Sequence, residues 1–336
     1  KYSNDCSIKI FNSSFEHNIN GINWGIYLRC ANLTVHINSS LFTFTPLLLT
    51  NVGNKPTRWT QTKILVRHTI FNGKRVQECS PMLMIKLFAA ISNITIIDSG
   101  FKNHFADCRF THNEVPTLQI YYVRSNVQNV TTISLNNLTF ENNYNDWAAL
   151  LLCVGYRDHT EVDIMIKNCI FRNNSVALRV SDRCFKKVFP VQDSHTIILE
   201  NNTFEENFYD MSKMNGAAAI HFRTVKSRVL SCRFINNRPG PNPYTGVVTI
   251  YKEAIVTFTN CYFENLQTTE RADQLFSSGN RPLKFHGENT FNLVALKGSQ
   301  NVFSRVPTTL NNKVILRRNF KIICPQGYKV NAQREC

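Results

Sequence analysis

The sequence predicts an all-β fold, a right-handed parallel β-helix solenoid of about ten coils. Three observations carry this. A Phe, usually with Asn two or three residues later, recurs at Phe15, Phe42, Phe71, Phe101, Phe140, Phe171, Phe204, Phe234, Phe263 and Phe291, at spacings of 27, 29, 30, 39, 31, 33, 30, 29 and 28. Apolar residues stand at fixed distances before each Phe. A second apolar run follows each. The handedness follows the crossover rule for parallel strands.

Five residues before the anchors stand Ile10, Ile37, Val66, Ile96, Leu135, Ile166, Leu199, Val229 and Phe258. Seven before stand Ile8, Val35, Ile64, Ile94, Ile133, Ile164, Ile197 and Val256, with Ser227 as the exception. Apolar residues two apart share one face of a strand, so each coil opens with a strand that is apolar inside and polar outside. Two before the anchor come Ser13, Ser40, Thr69, Ser99, Cys169, Asn202, Cys232, Cys261 and Asn289, small or polar residues that suit a tight inward corner. Asn after the anchor suits a left-handed turn, and stacked Asn amides can bond along a column.

The second runs are Ile26-Tyr27-Leu28, Leu47-Leu48-Leu49, Leu83-Met84-Ile85, Leu118-Gln119-Ile120, Leu150-Leu151-Leu152, Ala177-Leu178, Ala219-Ile220 and Val247-Val248. Short strands at this repeat length, without helical periodicity, exclude a βαβ fold, and one motif kept in phase through ten turns argues against a sandwich or a propeller.

Two places break the period. The coil after Phe101 is 39 residues long and holds a second anchor-like stretch, Cys108-Arg109-Phe110-Thr111-His112-Asn113, so either Phe101 or Phe110 is its corner. In the tenth coil His286 stands where an apolar residue is expected and Phe285 is one step off, which a bulge would restore. Beyond Leu310 the repeat stops. The expected organisation is a β-helix over 1–310, then a linker and the beginning of a Cys-rich module over 311–336. Lys1 is not a natural start, so the chain reads as a mature or excised piece of a larger protein.

Asn-x-Ser/Thr sequons fall at Asn12, Asn32, Asn38, Asn93, Asn129, Asn137, Asn173 and Asn201. The cysteines point the same way, to an oxidising compartment. Cys153 and Cys184 both lie thirteen after their anchors, Cys232 and Cys261 both two before, and Cys79 and Cys108 eight and seven after. Residues in equal phase on adjacent coils stack at about 4.8 Å, within disulfide range. Cys6 with Cys30 can close the first coil and Cys324 with Cys336 the tail, which leaves Cys169 single. The rival reading is an interior ladder of reduced thiols.

The Phe-x-x-Asn corner followed by small apolar residues, as in Phe204-x-x-Asn207 then Gly216-Ala217-Ala218-Ala219-Ile220, resembles the pectin-lyase-like β-helix repeats of polymorphic-outer-membrane and related surface proteins. The tail Cys324-Pro325-x-Gly327-Tyr328 with Cys336 resembles the start of the ephrin-receptor-like Cys-rich modules that follow such helices. The resemblance implies an extracellular or cell-surface structural or adhesive module, non-catalytic, within a larger surface or matrix glycoprotein.

The alternative is a polysaccharide lyase or hydrolase acting on acidic glycans, a chemistry the pectin-lyase-like fold also hosts. A hydrolase needs facing carboxylates, and none of the ten Asp residues repeats in phase on neighbouring coils of the outward strand face. Lys167 and Glu200, both four before their anchors, should meet as a surface ion pair. His221 beside Arg223 is of a kind that a site can use, yet a packed histidine is the commoner outcome. No cofactor and no metal ligand set is expected. With 38 Lys and Arg against 23 Asp and Glu, the charge is +15. That favours acidic glycans or other surface or matrix proteins as partners. Nucleic acid is not expected, since no basic stripe is interleaved with aromatics. Membrane contact is expected only through a part of the protein outside these residues.

Overall fold

The alternation ahead of each Phe becomes a strand with one face in the core. In the computed structural model Gln61–Arg67 buries Thr62, Ile64 and Val66 and turns Gln61, Lys63 and Arg67 outward. Ile91–Ile97 does the same with Ser92, Ile94 and Ile96. The residues described are 3–16, 25–51, 60–73, 80–88, 91–106, 115–122, 129–145, 147–154, 160–181, 196–209, 216–223, 225–240, 245–265, 273–278, 281, 283–293, 302–304 and 320–323.

These strands stack in parallel as a β-solenoid with no helix among the described residues. Three ladders run along it. The first carries the strands that precede the anchors, from Ser3–Phe11 to Lys284–His286. The second carries the apolar runs that follow them, from Ile26 to Val302–Ser304. The third is an eleven-stranded sheet of short strands centred on the anchors. All ten anchors pair in register: Phe15 with Phe42, Phe42 with Phe71, and so on to Phe263 with Phe291. Phe101, not Phe110, is therefore the corner of the long coil, and the extra residues fall between Ala106 and Leu118. The third ladder takes one more strand, Phe320–Ile323, which lies past residue 310.

Inside, the rings form one column. From Phe15 to Phe263 successive centroids lie 4.6–5.1 Å apart, with interplanar angles of 2–11°. Phe71, Phe101, Phe140, Phe171, Phe204 and Phe234 are wholly buried.

Among the described residues, the corner before the anchor strand is left-handed at a non-glycine residue in nine coils and the corner after it in six. Three before the anchor, Asn12, Ser39, His68, Asp98, Asn137, Asn168, Asn201, Ser231 and Asn260 all have φ of 45–55°. Two after it, Phe44, Asn103, Asn142, Asn173, Glu206 and Asn236 have φ of 51–57°. Asn tolerates this region better than most residues, because its short side chain hydrogen-bonds locally. In the tenth coil Phe285 pairs with Phe258, and the extra residue is absorbed at the corner, where Gly287 takes φ 63°. A Cβ on Gly287 would lie 1.9 Å from the Asn260 side-chain oxygen, so only glycine fits.

Three after the anchor, the Asn side chains turn inward and form a buried ladder. Asn143 donates its Nδ2 to Asn174 Oδ1, Asn174 to Asn207 and Asn207 to Asn237, each at 2.9 Å. The same Nδ2 groups donate to the carbonyls of Phe101, Phe140 and Phe171, and each accepting Oδ1 also takes the backbone N–H of the preceding rung. Each rung so binds the anchor strand of the coil before it as well as the amide of the coil after it. His104 occupies this position at the ladder's end. Its backbone N–H reaches Asn143 Oδ1, and its ring nitrogens lie 3.1 Å from Thr117 Oγ1 and from the Ser80 carbonyl. Burial pushes its pKa down to about 4, partly offset by the Ser80 bond.

The cysteines correct part of the sequence reading. Cys6 and Cys30 are bonded, with Cα atoms 5.9 Å apart. Cys232 and Cys261 are free thiols, as is Cys169, and all three are buried. Stacked side chains in equal phase keep their Cβ atoms near the ~4.8 Å strand spacing, wider than the mean of about 3.8 Å in a disulfide. Their sulfurs instead meet carbonyls, Cys232 at Leu230 and Cys261 at Val229, both at 3.4 Å. The Cys6–Cys30 bridge runs diagonally, since Cys6 stands opposite Leu33 and Cys30 opposite Ser3. Cys153 is disulfide-bonded, and its partner is not among the described residues. Its register neighbours are Tyr121 and Ser181. Cys79, Cys108, Cys184, Cys324 and Cys336 lie outside the described residues.

Three outcomes are expected. Phe171→Ala should lower unfolding stability by about 3–5 kcal/mol, measured by urea titration, because it leaves a gap in a close-packed column. Peptide mapping should find Cys6–Cys30 linked and Cys169, Cys232 and Cys261 as thiols that alkylate only after unfolding, since burial pushes Cys169 up to about 12, Cys261 up to about 11 and Cys232 higher still. The His104 term is fully present above the ordinary histidine value of 6.5 and is lost as pH falls through about 4. Stability should therefore drop by about 3 kcal/mol over that window, and His104→Asn should flatten that part of the profile, a result read from thermal midpoints.

Candidate functional surface

The outward side chains of the second ladder, where the sequence places His221 and Arg223, form a packed layer. In register along it stand Gln119, Leu151, Arg179, His221, Thr249 and Phe276. All six are buried, His221 to 3 % exposure. The Arg179 guanidinium lies 4.1 Å from the centroid of the Trp147 ring, a cation–π contact. Trp147 packs with Leu151 and Cys153. Tyr209 packs beside them against Ala148, Val176 and Ala218. A Cβ on Gly216 would fall 2.2 Å from the Tyr209 ring, so glycine is what admits it. Burial pushes the Tyr209 hydroxyl up to about 12, against the opposing charge of Arg179. The His221 ring faces Tyr251 with centroids 6.1 Å apart. This is a wall of aromatic and basic groups, with no acid–base pair among the groups just named.

On the exposed faces, register decides how charges meet. Lys167 and Glu200 pair at 3.2 Å, the ion pair expected from their common phase. One residue after the anchors, Lys102 meets Glu141 at 3.2 Å and Arg172 meets Glu205 at 3.0 Å. Arg281 meets Glu253 at 3.3 Å. Asp98 accepts from Asn137 at 2.7 Å. These carboxylates are therefore engaged across coils. Among the described residues no group of three or more His, Cys, Asp or Glu is placed to hold a metal ion, and no helix is long and apolar enough to cross a membrane.

The sequons lie on the surface where their side chains are described. Asn12, Asn93, Asn137 and Asn201 are exposed, and Asn32, Asn38 and Asn173 are half-buried. Asn129 lies in a strand, but its side chain is outside the described set.

Near the end of the Asn ladder lies a hollow of about 350 Å3, part of it open to solvent. Phe42, Phe44, Phe71, Met82, Phe105 and the ring of His104 line it. Thr45 holds the ladder position of the second coil and bonds the Phe15 carbonyl at 3.4 Å in place of an Asn amide.

The Trp147, Arg179 and Tyr209 cluster was not visible in the sequence, because those residues come from three different coils at unrelated distances from their anchors. The pairs one after the anchors could have been found, since they share a phase as Lys167 and Glu200 do. No family model matches the chain, and neither a curated protein nor a solved structure matches it.

Proposed function

We propose that the chain is a non-catalytic structural or adhesive module of a larger cell-surface or matrix glycoprotein, a rigid spacer that presents its outer faces to partners. The observation that carries this is the unbroken inter-coil stack: ten anchors in register, with the polar interior taken up by the ladder from Asn143 to Asn237. Fixed, mutually bonded side chains make a stiff rod and leave chemistry to the surface. The Cys6–Cys30 bridge supports an extracellular compartment. The Phe-x-x-Asn repeat supports kinship with polymorphic-outer-membrane-type surface proteins, and the tail from Cys324 supports a following ephrin-receptor-like module.

The test is incubation with a panel of acidic polysaccharides. No new reducing ends and no absorbance from unsaturated products should appear, whereas depolymerisation of any of them would make the chain an enzyme. Material from the native source should carry hexosamine at the exposed sequons Asn137 and Asn201, read by mass spectrometry of glycopeptides. Unmodified peptides at all eight sequons would remove the compartment argument.

A further inference from the structure

Between Asp210 and Glu253 the chain holds seven Lys and Arg and no carboxylate. At the overall acid content of 23 in 336 residues, about three would be expected there. This stretch runs from the second-ladder strand Ala217–Arg223 through the coil of Phe234 to that coil's own second-ladder strand, Gly246–Tyr251. Arg228 is exposed on its first-ladder strand, Lys226–Leu230, and Arg233 on its anchor strand, Arg233–Ile235. Arg238, also exposed, follows the next corner.

The basic residues of this coil differ in register from those on the coils of Phe101 and Phe171, while Lys63 and Arg67, exposed on the coil of Phe71, likewise face no acid. Lys102, Lys167 and Arg172 each stand opposite a glutamate on the following coil. Arg228 stands between Ile198 and Thr257, and Arg233 between Thr203 and Tyr262. Arg238 bridges to Phe208. The nearest acid on the following coil, Glu264, accepts from the Tyr262 hydroxyl. Where the coils of Phe101, Phe140, Phe171 and Phe204 carry a charge in that column, this coil has Ile235. Two guanidiniums instead lie over rings, Arg233 over Tyr262 and Arg238 over Phe208, each 5.9 Å from the centroid.

Resting on the adhesive reading above, we infer that this coil is the ligand-binding face and that it takes an acidic polysaccharide, carboxylated or sulfated, lying across the rod axis along Arg228, Arg233 and Arg238. The three arginines are five residues apart in sequence, and left-handed corners at Ser231 and Asn236 turn the chain between them. They therefore point in three directions around a convex edge. A thin flexible polyanion can follow such an edge and meet all three. A folded acidic partner needs a flatter surface with an apolar centre. Guanidinium presents paired N–H groups to carboxylate or sulfate oxygens. Since all three are exposed, binding is salt-sensitive.

The experiment measures retention of the protein on immobilised heparin, polygalacturonate and neutral dextran as salt is raised. The triple variant Arg228→Glu, Arg233→Glu, Arg238→Glu is compared with Lys102→Glu, Lys167→Glu, Arg172→Glu, which changes the net charge equally. Wild type should bind at least one acidic chain and not dextran. The first triple should lose roughly tenfold or more in affinity and the second little, because local complementarity outweighs net charge. Equal loss in both triples, no loss in the first, or no binding by wild type would overturn the assignment. So would equally tight binding of single-stranded DNA or polyglutamate that the first triple also abolishes. The single variants Arg228→Gln and Arg233→Gln, each expected to weaken binding partially, serve if a triple fails to fold. Cleavage of a bound polysaccharide would instead overturn the non-catalytic reading while leaving the location of the face intact.

Discussion

Everything in this solenoid depends on one spacing, the distance between hydrogen-bonded parallel strands. Backbone ladders hold adjacent coils at about 4.8 Å. A side chain in a given phase therefore meets its own counterpart at that distance, above and below. Only some residues gain from such a meeting. Phenylalanine does: its rings stack face to face at 4.6–5.1 Å along the column. Asparagine does, since its amide donates to one coil and accepts from the other. Cysteine stacks as a small apolar group but is held too far from its twin to bond it. Like charges do not gain, so charged columns alternate in sign, as Lys102 with Glu141 and Arg172 with Glu205.

The corners add a second constraint. Left-handed backbone costs a non-glycine residue up to about 1–2 kcal/mol, and among the described residues six coils have such residues on both sides of the anchor strand. The cost is offset because the corner turns the next residue inward, where a buried amide or hydroxyl satisfies the backbone groups the turn exposes. Cys169 N–H donates to Asn202 Oδ1 at 2.8 Å, and Cys261 N–H to Asn289 Oδ1 at 2.9 Å. Corner and ladder form one device: the turn positions the amide, and the amide closes the turn.

This explains which parts were legible. The anchors, the strand before them and the inward corner residues keep constant distances in nine coils, the extra residue of the tenth being absorbed at Gly287. From Ile64 to Phe71, or from Ile197 to Phe204, the count is the same, and the register follows it. Past the second corner, constancy ends. Leu47 follows Phe42 by five residues, Leu178 follows Phe171 by seven, and Leu118 follows Phe101 by seventeen, yet all three stand in the same ladder. Apolar runs could still be recognised there. Phase could not. The cluster of Trp147, Arg179 and Tyr209 lies past the second corner as well.

A periodic structure carries information only where it departs from its period. The ring column is the same from coil to coil, so it cannot distinguish one partner from another. Departures come in two kinds. Some are absorbed locally, as Gly287 absorbs an extra residue while Phe285 stays paired with Phe258. Others persist at the surface without a structural need, and the coil carrying Arg228 and Arg233 is of this kind. Its interior obeys the pattern, with Phe234 in the column and Asn237 in the ladder. Its outward arginines lack the acids that Lys102, Lys167 and Arg172 meet on the following coils. Relief of repulsion would favour restoring a carboxylate opposite each arginine, and the register makes that a single substitution at Thr257 or Tyr262. A kept core beneath an altered outer face is what the proposed ligand-binding role of this coil requires.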